Sequence, residues 1–386
     1  MSIISTDQKY IASTYKRFPV EIVKGRGSEV FDAEGKRYID MGSGIGVTAF
    51  GIADEEWQQA VIGQIGKVQH MSNLYYTEPC AKLAEQLCLK SGMKKVFFGN
   101  SGAEANDGAI KAARKYSAEK KGSSCYTIIT LINSFHGRTL TTLAATGQDH
   151  FHQLFQPLTP GFIHVPANDT EALERAVDEN EIAGIMMECI QGEGGVRALD
   201  RGYVKAAAKL CSDKDIPLII DEVQSGNGRS GRMYSYQNYD IMPDVVSTAK
   251  GLAGGLPIGA VLLGEKLQDV FSYGDHGSTF GGNPVSCAAA LSVVNRIDEQ
   301  LLESVRKKSA YLFDTLGKAE GITEVSGMGL MICLSTIRPA GEVLAECMRN
   351  GVLCLTAKDK LRLLPALNIP EELLREAAGI IMKACS

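Results

Sequence analysis

The chain has 386 residues, which is too long for one small core and favours two domains. A hydrophobic share of 45% and a charged share of 22% are typical of a globular protein, and a net charge of -5 without a dense Lys/Arg stripe argues against a nucleic-acid partner. No apolar run approaches the roughly 18 residues that a membrane-spanning helix needs. The N-terminal segment is charged throughout, unlike a secretory signal, so we expect a cytoplasmic protein without a membrane partner and with its ten cysteines reduced.

The first half of the chain predicts a β-hairpin followed by an α/β domain. In "EVFDAEGKRYIDM" two strand-like runs flank an Asp32–Lys36 turn. From about residue 80 to residue 265, short apolar runs alternate with helical patterns. The runs are apolar on both faces, as buried parallel strands are, so the alternation predicts an open, mostly parallel sheet. The expected strands are "KKVFFGN", "CYTIITLINS", "EIAGIMMECI", "IPLIIDEV" and "DVVSTA".

The pattern changes near Asn283, which can cap a helix whose first turn takes Pro284. Beyond that helix, shorter strand-like runs and helices predict a smaller α+β domain. We therefore expect an N-terminal segment over residues 1–60 that packs with the small domain, a large α/β domain over residues 61–285 and the small domain over residues 286–386.

Polar side chains follow the predicted strands of the large domain, at the edge where open α/β sheets bind ligands. Asp221 ends an all-apolar strand, so its carboxylate needs a cationic partner to offset the cost of burial. That partner is either an Arg or Lys of the chain or the protonated ring nitrogen of a cofactor. The other strand ends carry Asn100–Gly102, Phe135–Arg138, Glu188–Glu193 and Lys250.

The segment around Ser101 allows two interpretations. The helix predicted after it would leave the backbone N–H groups of Gly102 and Ala103 free to bind a phosphate. An ordinary serine N-cap explains the same residues. Both interpretations remain open on this segment alone.

Two glycine-rich segments suggest a nucleotide site at first sight. Gly226, Gly228 and Gly231 match G-x-G-x-x-G after a strand, but neither a regular helix nor the acidic residue of a dinucleotide fingerprint follows. Lys250 precedes its glycines, which is the reverse of a Walker loop. A lysine in a largely dry site loses proton affinity and becomes a nucleophile, which favours covalent chemistry with an aldehyde. A solvated lysine on a glycine loop is the alternative.

Together these residues predict a pyridoxal-phosphate site. That cofactor needs an amine for its aldehyde, an acid for its pyridine nitrogen, an anion site for its phosphate and a flat partner for its ring. The sequence offers Lys250, Asp221, the Ser101–Ala103 turn and Phe135 for these four tasks.

The chain resembles the class III (ω-) aminotransferases of pyridoxal-phosphate fold type I over essentially its full length. The resemblance implies a mostly parallel central sheet in a large domain, a smaller α+β domain and a homodimer with shared active sites. Within the family, the chain is most similar to members that act on N-acetylornithine. The segments that carry the resemblance are "NSGAEAND", "SFHGRTLTTLAATGQ", "IQGEGGV", "DEVQSGNGRSG", "STAKGLAGGLPIGA" and "HGSTFGGNP".

The resemblance implies a role for each residue around the cofactor. Lys250 would bond the aldehyde and move the substrate proton, while Asp221 would pair with the ring nitrogen and Gln224 with the ring hydroxyl side. Phe135 would stack on the ring, and Thr279 would reach the phosphate from the partner subunit. The backbone of Gly102 and Ala103 would hold the phosphate on the other side.

The resemblance also implies two carboxylate sites for two substrates. Arg138 would hold the α-carboxylate of the amino donor, and Ser278 would line the substrate site across the interface. Arg362 would hold the α-carboxylate of glutamate, and Glu193 would shield Arg362 during the other half-reaction. An Arg–carboxylate fork is strong and directional, so covering it is a plausible switch between substrates.

Four features depart from the family pattern, one of which is Ala103, which lacks a hydroxyl that some relatives use on the phosphate. Cys189 stands where a proline is usual, and "AFGIADEEW" replaces a Gly-His-x-His-Pro segment. The segment "GSGIGV" has no aromatic residue, unlike ornithine-acting relatives, which favours a pocket open to an N-acyl group. His150, His152 and His164 lack a carboxylate spacing that would indicate a metal, so no metal is expected.

The sequence therefore predicts a pyridoxal-phosphate-dependent transaminase that moves the δ-amine of N-acetylornithine to 2-oxoglutarate and serves arginine biosynthesis. Succinylornithine, ornithine, 4-aminobutyrate and N-acyl-lysine are alternative donors. A racemase or aminomutase on the same scaffold, or a non-catalytic dinucleotide-binding protein, are alternatives of other classes.

Overall fold

The computed structural model describes residues 2–386. Within them, seventeen strands, β1 to β17, run over Ile22–Arg26, Glu29–Asp32, Arg37–Asp40, Lys95–Gly99, Thr127–Leu131, Phe162–Val165, Ile182–Met187, Ile190–Gln191, Arg197–Ala198, Leu218–Asp221, Val245–Thr248, Gly259–Leu263, Ile322–Met328, Met331–Thr336, Val352–Leu353, Leu355–Ala357 and Lys360–Leu363. The helices span Ile3–Tyr10, Glu55–Ile65, Glu78–Ser91, Gly102–Lys121, Leu140–Ala145, Thr170–Glu179, Arg201–Asp213, Pro284–Val294, Glu299–Gly317, Ala340–Arg349 and Glu371–Cys385. Ser43–Gly46 forms a short turn in which all four residues have positive φ.

A seven-stranded sheet forms the centre of the molecule, in the order β4-β12-β11-β10-β7-β5-β6. Only β12 runs antiparallel to its neighbours. The all-apolar runs predicted as strands are buried because helices cover both faces, and every residue of β7, β10 and β11 is buried. The predicted α/β class with a mostly parallel sheet is confirmed. The strands β6 and β12 were not predicted from the sequence, since both are short and lie beside glycines or prolines.

The register of the central strands brings their carboxyl ends to one edge. Ile220 lies beside Met187 of β7, so Asp221 follows at the same level as Glu188. Asp221 itself lies beside Ser247 of β11, three residues before Lys250. The register of these parallel strands therefore brings Asp221, Glu188 and Lys250 to the same edge of the sheet.

Two smaller sheets flank the central one. The N-terminal strands and β15 form a sheet in the order β1-β2-β3-β15, in which β15 is parallel to β3. The second sheet has the order β13-β14-β17-β16 and carries Arg362 on β17. The N-terminal hairpin thus hydrogen-bonds to C-terminal residues, while the domain boundaries at residues 60 and 285 stay a prediction.

The helix at Pro284–Val294 begins as expected. The Asn283 side chain accepts hydrogen bonds from the backbone N–H groups of Val285 and Ser286, and Pro284 occupies the first turn, where no N–H is needed. Its small residues allow close packing on the helices at Glu55–Ile65 and Glu78–Ser91. Across residues 2–386, none of the helices combines the length and the apolar character that crossing a membrane requires.

Candidate active site

Asp221 lies at the centre of the strand-end residues and is 3% exposed. Its Oδ2 accepts hydrogen bonds from Asn106 Nδ2 at 2.7 Å and from His136 Nδ1 at 2.8 Å. Its Oδ1 accepts the backbone N–H of Val223 at 2.9 Å. These bonds fix the carboxylate and offset the cost of burial. The sequence predicted a cationic partner, and within the chain the partners are an imidazole and an amide.

Glu188 ends the neighbouring strand β7 and is also buried. Its Oε2 accepts the backbone N–H of Phe135 at 2.9 Å, and its Oε1 accepts that of Gly192 at 3.0 Å. Burial raises the pKa of Glu188 to about 7, and Asp221 adds to the rise while His136 opposes it. The sequence analysis included Glu188 only as part of a strand end. The signal that identified Asp221, an acid after an all-apolar strand, would have found it too.

Lys250 follows β11 with its backbone in the left-handed region, at φ 43°. A non-glycine residue there stores about 1–3 kcal/mol of strain, which the surrounding structure must impose. Burial lowers the pKa of Lys250, whereas Glu193 and Asp221 act to raise it. Glu193 forms an ion pair with Arg362, and Asp221 accepts a hydrogen bond from His136. Within residues 2–386, neither carboxylate forms an ion pair with the lysine amine.

Asn227 fixes the backbone immediately before Lys250. Its Nδ2 donates to Thr248 Oγ1 at 3.0 Å and to the carbonyl oxygen of Ala249 at 3.1 Å. Asn227 is 2% exposed and itself has φ 54°, a conformation that asparagine tolerates better than most residues. Sequence reasoning read this segment only for its glycines and so missed Asn227.

The helix at Gly102–Lys121 opens toward the same edge. Ser101 caps it, because Ser101 Oγ accepts the backbone N–H of Glu104 at 3.2 Å. The cap leaves the N–H groups of Gly102 and Ala103 at the positive end of a helix dipole, where an anion is stabilised. A Cβ at Gly102 would lie 2.6 Å from Val223 Cγ1, so the segment after Asp221 packs directly on this turn. The N-cap and the phosphate interpretation are therefore compatible.

Phe135 and Arg138 lie in the loop after β5. Phe135 is half-buried, and its ring packs edge-on against the ring of Phe151, with 6.1 Å between the ring centres. The Arg138 guanidinium lies 4.0 Å from the centre of the Phe151 ring and 5.5 Å from that of Phe135, and it is exposed. Stacking on aromatic faces restrains the arginine and leaves its N–H groups free for a carboxylate.

Arg362 reaches the site from β17 and is 3% exposed. Its Nη1 donates to Glu193 Oε1, and Gln224 bonds both partners, through Nε2 to Glu193 at 3.2 Å and through Oε1 to Arg362 at 3.3 Å. The structure thus places together three residues that the sequence analysis assigned from different segments. Nε of Arg362 has no hydrogen-bond partner among residues 2–386.

Ser278 and Thr279 lie in the loop that precedes the helix at Pro284–Val294. Ser278 Oγ accepts a hydrogen bond from Asn100 Nδ2 at 2.9 Å, next to the helix opening. Thr279 is exposed at a cavity of about 790 Å³, whose lining comes from parts of the segments 71–84, 96–98 and 276–282. Among the described residues, Lys250 does not line this cavity.

The glycine-rich segment after Asp221 is structural. Gly228 packs against Leu367, Ile297 and Leu302, and Gly231 against Arg306. Only a short 3₁₀ turn at Ser235–Asn238 follows. A dinucleotide fingerprint would open a regular helix here, so the geometry argues against a dinucleotide-binding site.

The residues at this edge fit pyridoxal phosphate. The cofactor requires four groups, and this edge has a fixed carboxylate, a strained lysine free of ion pairs, a helix opening with the free N–H groups of Gly102 and Ala103, and a half-buried aromatic ring. Nothing in the donor set suits a metal instead. Within residues 2–386, no group of three or more His, Cys, Asp or Glu side chains is arranged to hold one.

Comparison with known proteins places the chain in a family. The family model described as aminotransferase class-III matches residues 10–385. The chain belongs to the class III aminotransferase family. Among curated members, it is 50% identical over 382 residues to the acetylornithine aminotransferase of Haemophilus ducreyi, covering 98% of this chain and 97% of that protein. It is 45% identical over 375 residues to that of Methanocaldococcus jannaschii, covering 96% and 94%.

Solved structures of aminotransferases share the fold. The N-acetylornithine aminotransferase of Stenotrophomonas maltophilia matches with a TM-score of 0.86 and 33% identity, over 99% of this chain and 98% of that one. The ornithine aminotransferase of Toxoplasma gondii, described with partial occupancy of PLP at its active site, matches with a TM-score of 0.94 and 32% identity, over 99% and 93%.

Proposed function

We propose that this chain is a transaminase that uses pyridoxal phosphate to move the δ-amino group of N-acetylornithine to 2-oxoglutarate, giving the semialdehyde and glutamate. The observation that carries the proposal is the end-to-end similarity to acetylornithine aminotransferases, together with two arginines in different surroundings: Arg362 acts on Lys250, and Arg138 lies on the ring of Phe151. A transaminase with unlike substrates needs to bind each of two carboxylates at its own distance from the reacting atom. We assign these two tasks to Arg138 and Arg362.

The roles of the residues follow from their surroundings. When bound, pyridoxal phosphate supplies an aldehyde for the amine and a ring that accepts electrons from the substrate carbon. Lys250 would hold the cofactor through its aldehyde, and its Nζ would carry the substrate proton, since burial lowers the pKa of Lys250 and favours the neutral amine. Asp221 would pair with the ring nitrogen and keep it protonated. Phe135 would cover the ring and exclude water.

The two arginines separate the two substrates in this proposal. Arg138 binds the α-carboxylate of N-acetylornithine while Glu193 covers Arg362. Glutamate then displaces Glu193 and pairs with Arg362, which brings its α-amine rather than a side-chain amine to the reacting position. Gln224 contacts both partners and can follow either arrangement.

We also propose a homodimer in which Thr279 completes the site of the partner subunit. Exposed apolar side chains line the cavity that contains Thr279, among them Met71 at 49%, Tyr75 at 63% and Tyr76 at 106% exposure. An exposed apolar surface of this kind favours an interface. A second copy of the chain would cover it, and sedimentation of the purified protein would measure the assembly. The cytoplasmic location and the domain limits remain predictions.

A panel of amino donors tests the proposed substrate. Purified enzyme with 2-oxoglutarate should give the highest kcat/KM with N-acetylornithine. The turn at Ser43–Gly46 contains Ile45 and no aromatic residue, which favours a pocket that is open to an N-acyl group. Succinylornithine, ornithine, 4-aminobutyrate and N-acetyl-lysine are the competitors. A higher kcat/KM for free ornithine would make the chain an ornithine aminotransferase. If the enzyme racemises a donor in the absence of a keto acid, it is a racemase and the proposed transaminase function is rejected.

A further inference from the structure

Glu188 is a buried carboxylate for which the proposed function has no task. It is 6% exposed, and its two oxygens accept backbone N–H groups from two different loops, those of Phe135 and Gly192. Such bonds are about twice as strong when the acceptor is ionised. Because each oxygen binds a different loop, Glu188 connects the two loops rather than only filling space.

The two loops bind different substrates in the proposed function. Phe135 begins the turn that carries Arg138, which is assigned to the amino donor. Gly192 directly precedes Glu193, which covers the glutamate-binding Arg362. Glu188 therefore lies between the loops of the two carboxylate sites, at the end of a fully buried strand.

The surroundings of Glu188 make this link sensitive to protonation. The titratable groups that face it are His136 after β5, Asp221 at the end of β10, Lys250 after β11 and the neighbouring thiol of Cys189. Burial first, and then Asp221, raise its pKa to about 7, while His136 opposes the rise. A protonated carboxyl has an O–H donor in place of one acceptor, so it cannot accept both N–H groups equally well.

We propose that Glu188 is a positioning residue that fixes the loop at Phe135–Arg138 and the loop at Gly192–Glu193 relative to each other. It thereby sets the spacing between the donor site and the glutamate site without touching either substrate. The inference rests on the proposed function, because each loop is assigned to one substrate there. Removing the carboxylate releases both loops together.

Glu222 offers a matched control. It is fully buried like Glu188, and burial raises its pKa as well. Its oxygens accept from the side chains of Ser225 and Ser235 and from the backbone N–H of Tyr236, none of which belongs to either loop. Glu222→Gln therefore reports the general effect of neutralising a buried carboxylate at this edge.

The first measurement is hydrogen–deuterium exchange of the holoenzyme, followed in peptides that contain Phe135 and Gly192. In Glu188→Gln, exchange of both peptides should accelerate by about tenfold, the loss expected for weakening a bond to a charged acceptor. Glu222→Gln should leave both at the wild-type rate, and Glu188→Asp should restore them in part. Acceleration of one peptide only, or equal acceleration in both glutamine variants, would overturn the proposal.

The second measurement treats the two substrates separately, by the absorbance change of the holoenzyme with glutamate or with N-acetylornithine alone. The concentration of each substrate that gives half-saturation should rise about tenfold in Glu188→Gln. In the wild type, both should rise together as the pH falls through about 7. That inflection should be absent from Glu188→Gln and present in Glu222→Gln. An inflection that persists without the Glu188 carboxylate contradicts the proposal.

The two measurements separate failure of the inference from failure of the function. A wild type that reacts with neither substrate rejects the proposed function, while the exchange experiment still reads the contacts of Glu188. If Glu188→Gln does not fold, the wild type alone carries the test. After correction for the pH dependence of the intrinsic exchange rate, the exchange protection of the Phe135 and Gly192 peptides should fall together below pH 7. A fall at one or at neither overturns the proposal.

Discussion

The carboxylate of Glu193 covers the guanidinium of Arg362 and holds it in a site that is almost closed to solvent. Burial acts to raise the pKa of Glu193, but Arg362 and then Lys250 outweigh burial and hold the pKa below its ordinary value. Glu193 therefore stays ionised at neutral pH. A substrate carboxylate must replace a charged hydrogen-bond partner at Arg362, not a water molecule.

Replacement of Arg362 should affect one substrate only. Arg362→Lys keeps the charge but loses the planar fork, so the half-saturation concentration of glutamate should rise by roughly 10- to 100-fold. That of N-acetylornithine should change less than threefold, because Arg138 binds its carboxylate. Single half-reactions followed by absorbance measure both. Arg138→Lys is the matched variant and should give the opposite pattern, and equal losses for both substrates in either variant would contradict the assignment.

Lys250 should be the residue that carries the cofactor. Borohydride treatment of the holoenzyme, followed by peptide mass analysis, should locate the cofactor on Lys250 and on no other lysine. Lys250→Ala should still bind the cofactor through Asp221 and the helix opening but lose turnover by roughly 10²- to 10⁴-fold or more. Lys250→Arg keeps a cation without a usable nucleophile and should be equally inactive. Substantial turnover in either variant would count against the role.

The sequence predicted those parts of the site that a single strand end defines. Asp221 and Lys250 follow apolar runs, and the rule that ligands bind at the carboxyl ends of parallel strands is enough to find them. The contact between Glu188 and Phe135 depends on the register of β5 against β7, which no local pattern gives. The bond from Asn106 to Asp221 depends on how a helix packs over the sheet.

The smaller sheets were predicted less well for the same reason. The hairpin around the Asp32–Lys36 turn has a local signal, but its pairing with Val352–Leu353 joins residues more than 300 apart in sequence. Arg362 looks like an ordinary strand residue in "LRLLPAL", and only the resemblance to a family pointed to it. Its bond to Glu193 joins residues 169 apart in sequence, which no local pattern gives.

Asn227 should affect turnover through the position of Lys250. Asn227→Gly keeps the left-handed backbone but removes the hydrogen bonds to Thr248 and Ala249. We expect kcat to fall by about tenfold with little change in KM, and the free energy of unfolding to fall by about 1–2 kcal/mol. Steady-state kinetics and urea denaturation measure the two effects. Gly226→Ala in the same segment should lower stability without the selective fall in kcat.

Thr279 should act in the site of the partner subunit, which a mixed dimer can test. Lys250→Ala and Thr279→Ala are each expected to be impaired as pure dimers. A mixed dimer contains one site with both substitutions and one site with neither. Co-expression should therefore restore about a quarter of wild-type activity, because half of the dimers are mixed and each has one intact site. If Thr279 served its own subunit, the mixture would show no gain over the separate variants.

The apoenzyme should lose stability as the pH rises through neutrality, and Glu188 should be one cause. The pKa of Glu188 is about 7 in the folded chain against an ordinary 4.5. The folded state therefore binds the proton more tightly, and the stability contributed by this group is complete below pH 4.5 and lost as the pH rises through about 7.

Glu188→Gln removes this dependence, since a glutamine does not titrate. Relative to the variant, the wild type should lose up to roughly 3 kcal/mol in free energy of unfolding between pH 4.5 and pH 8, at 1.36 kcal/mol per unit of pKa difference. Urea denaturation of both apoproteins across this range measures the difference. A wild type that gains stability over the variant with rising pH would show that Glu188 is ionised throughout, and its bonds to Phe135 and Gly192 would then hold at every pH in the range.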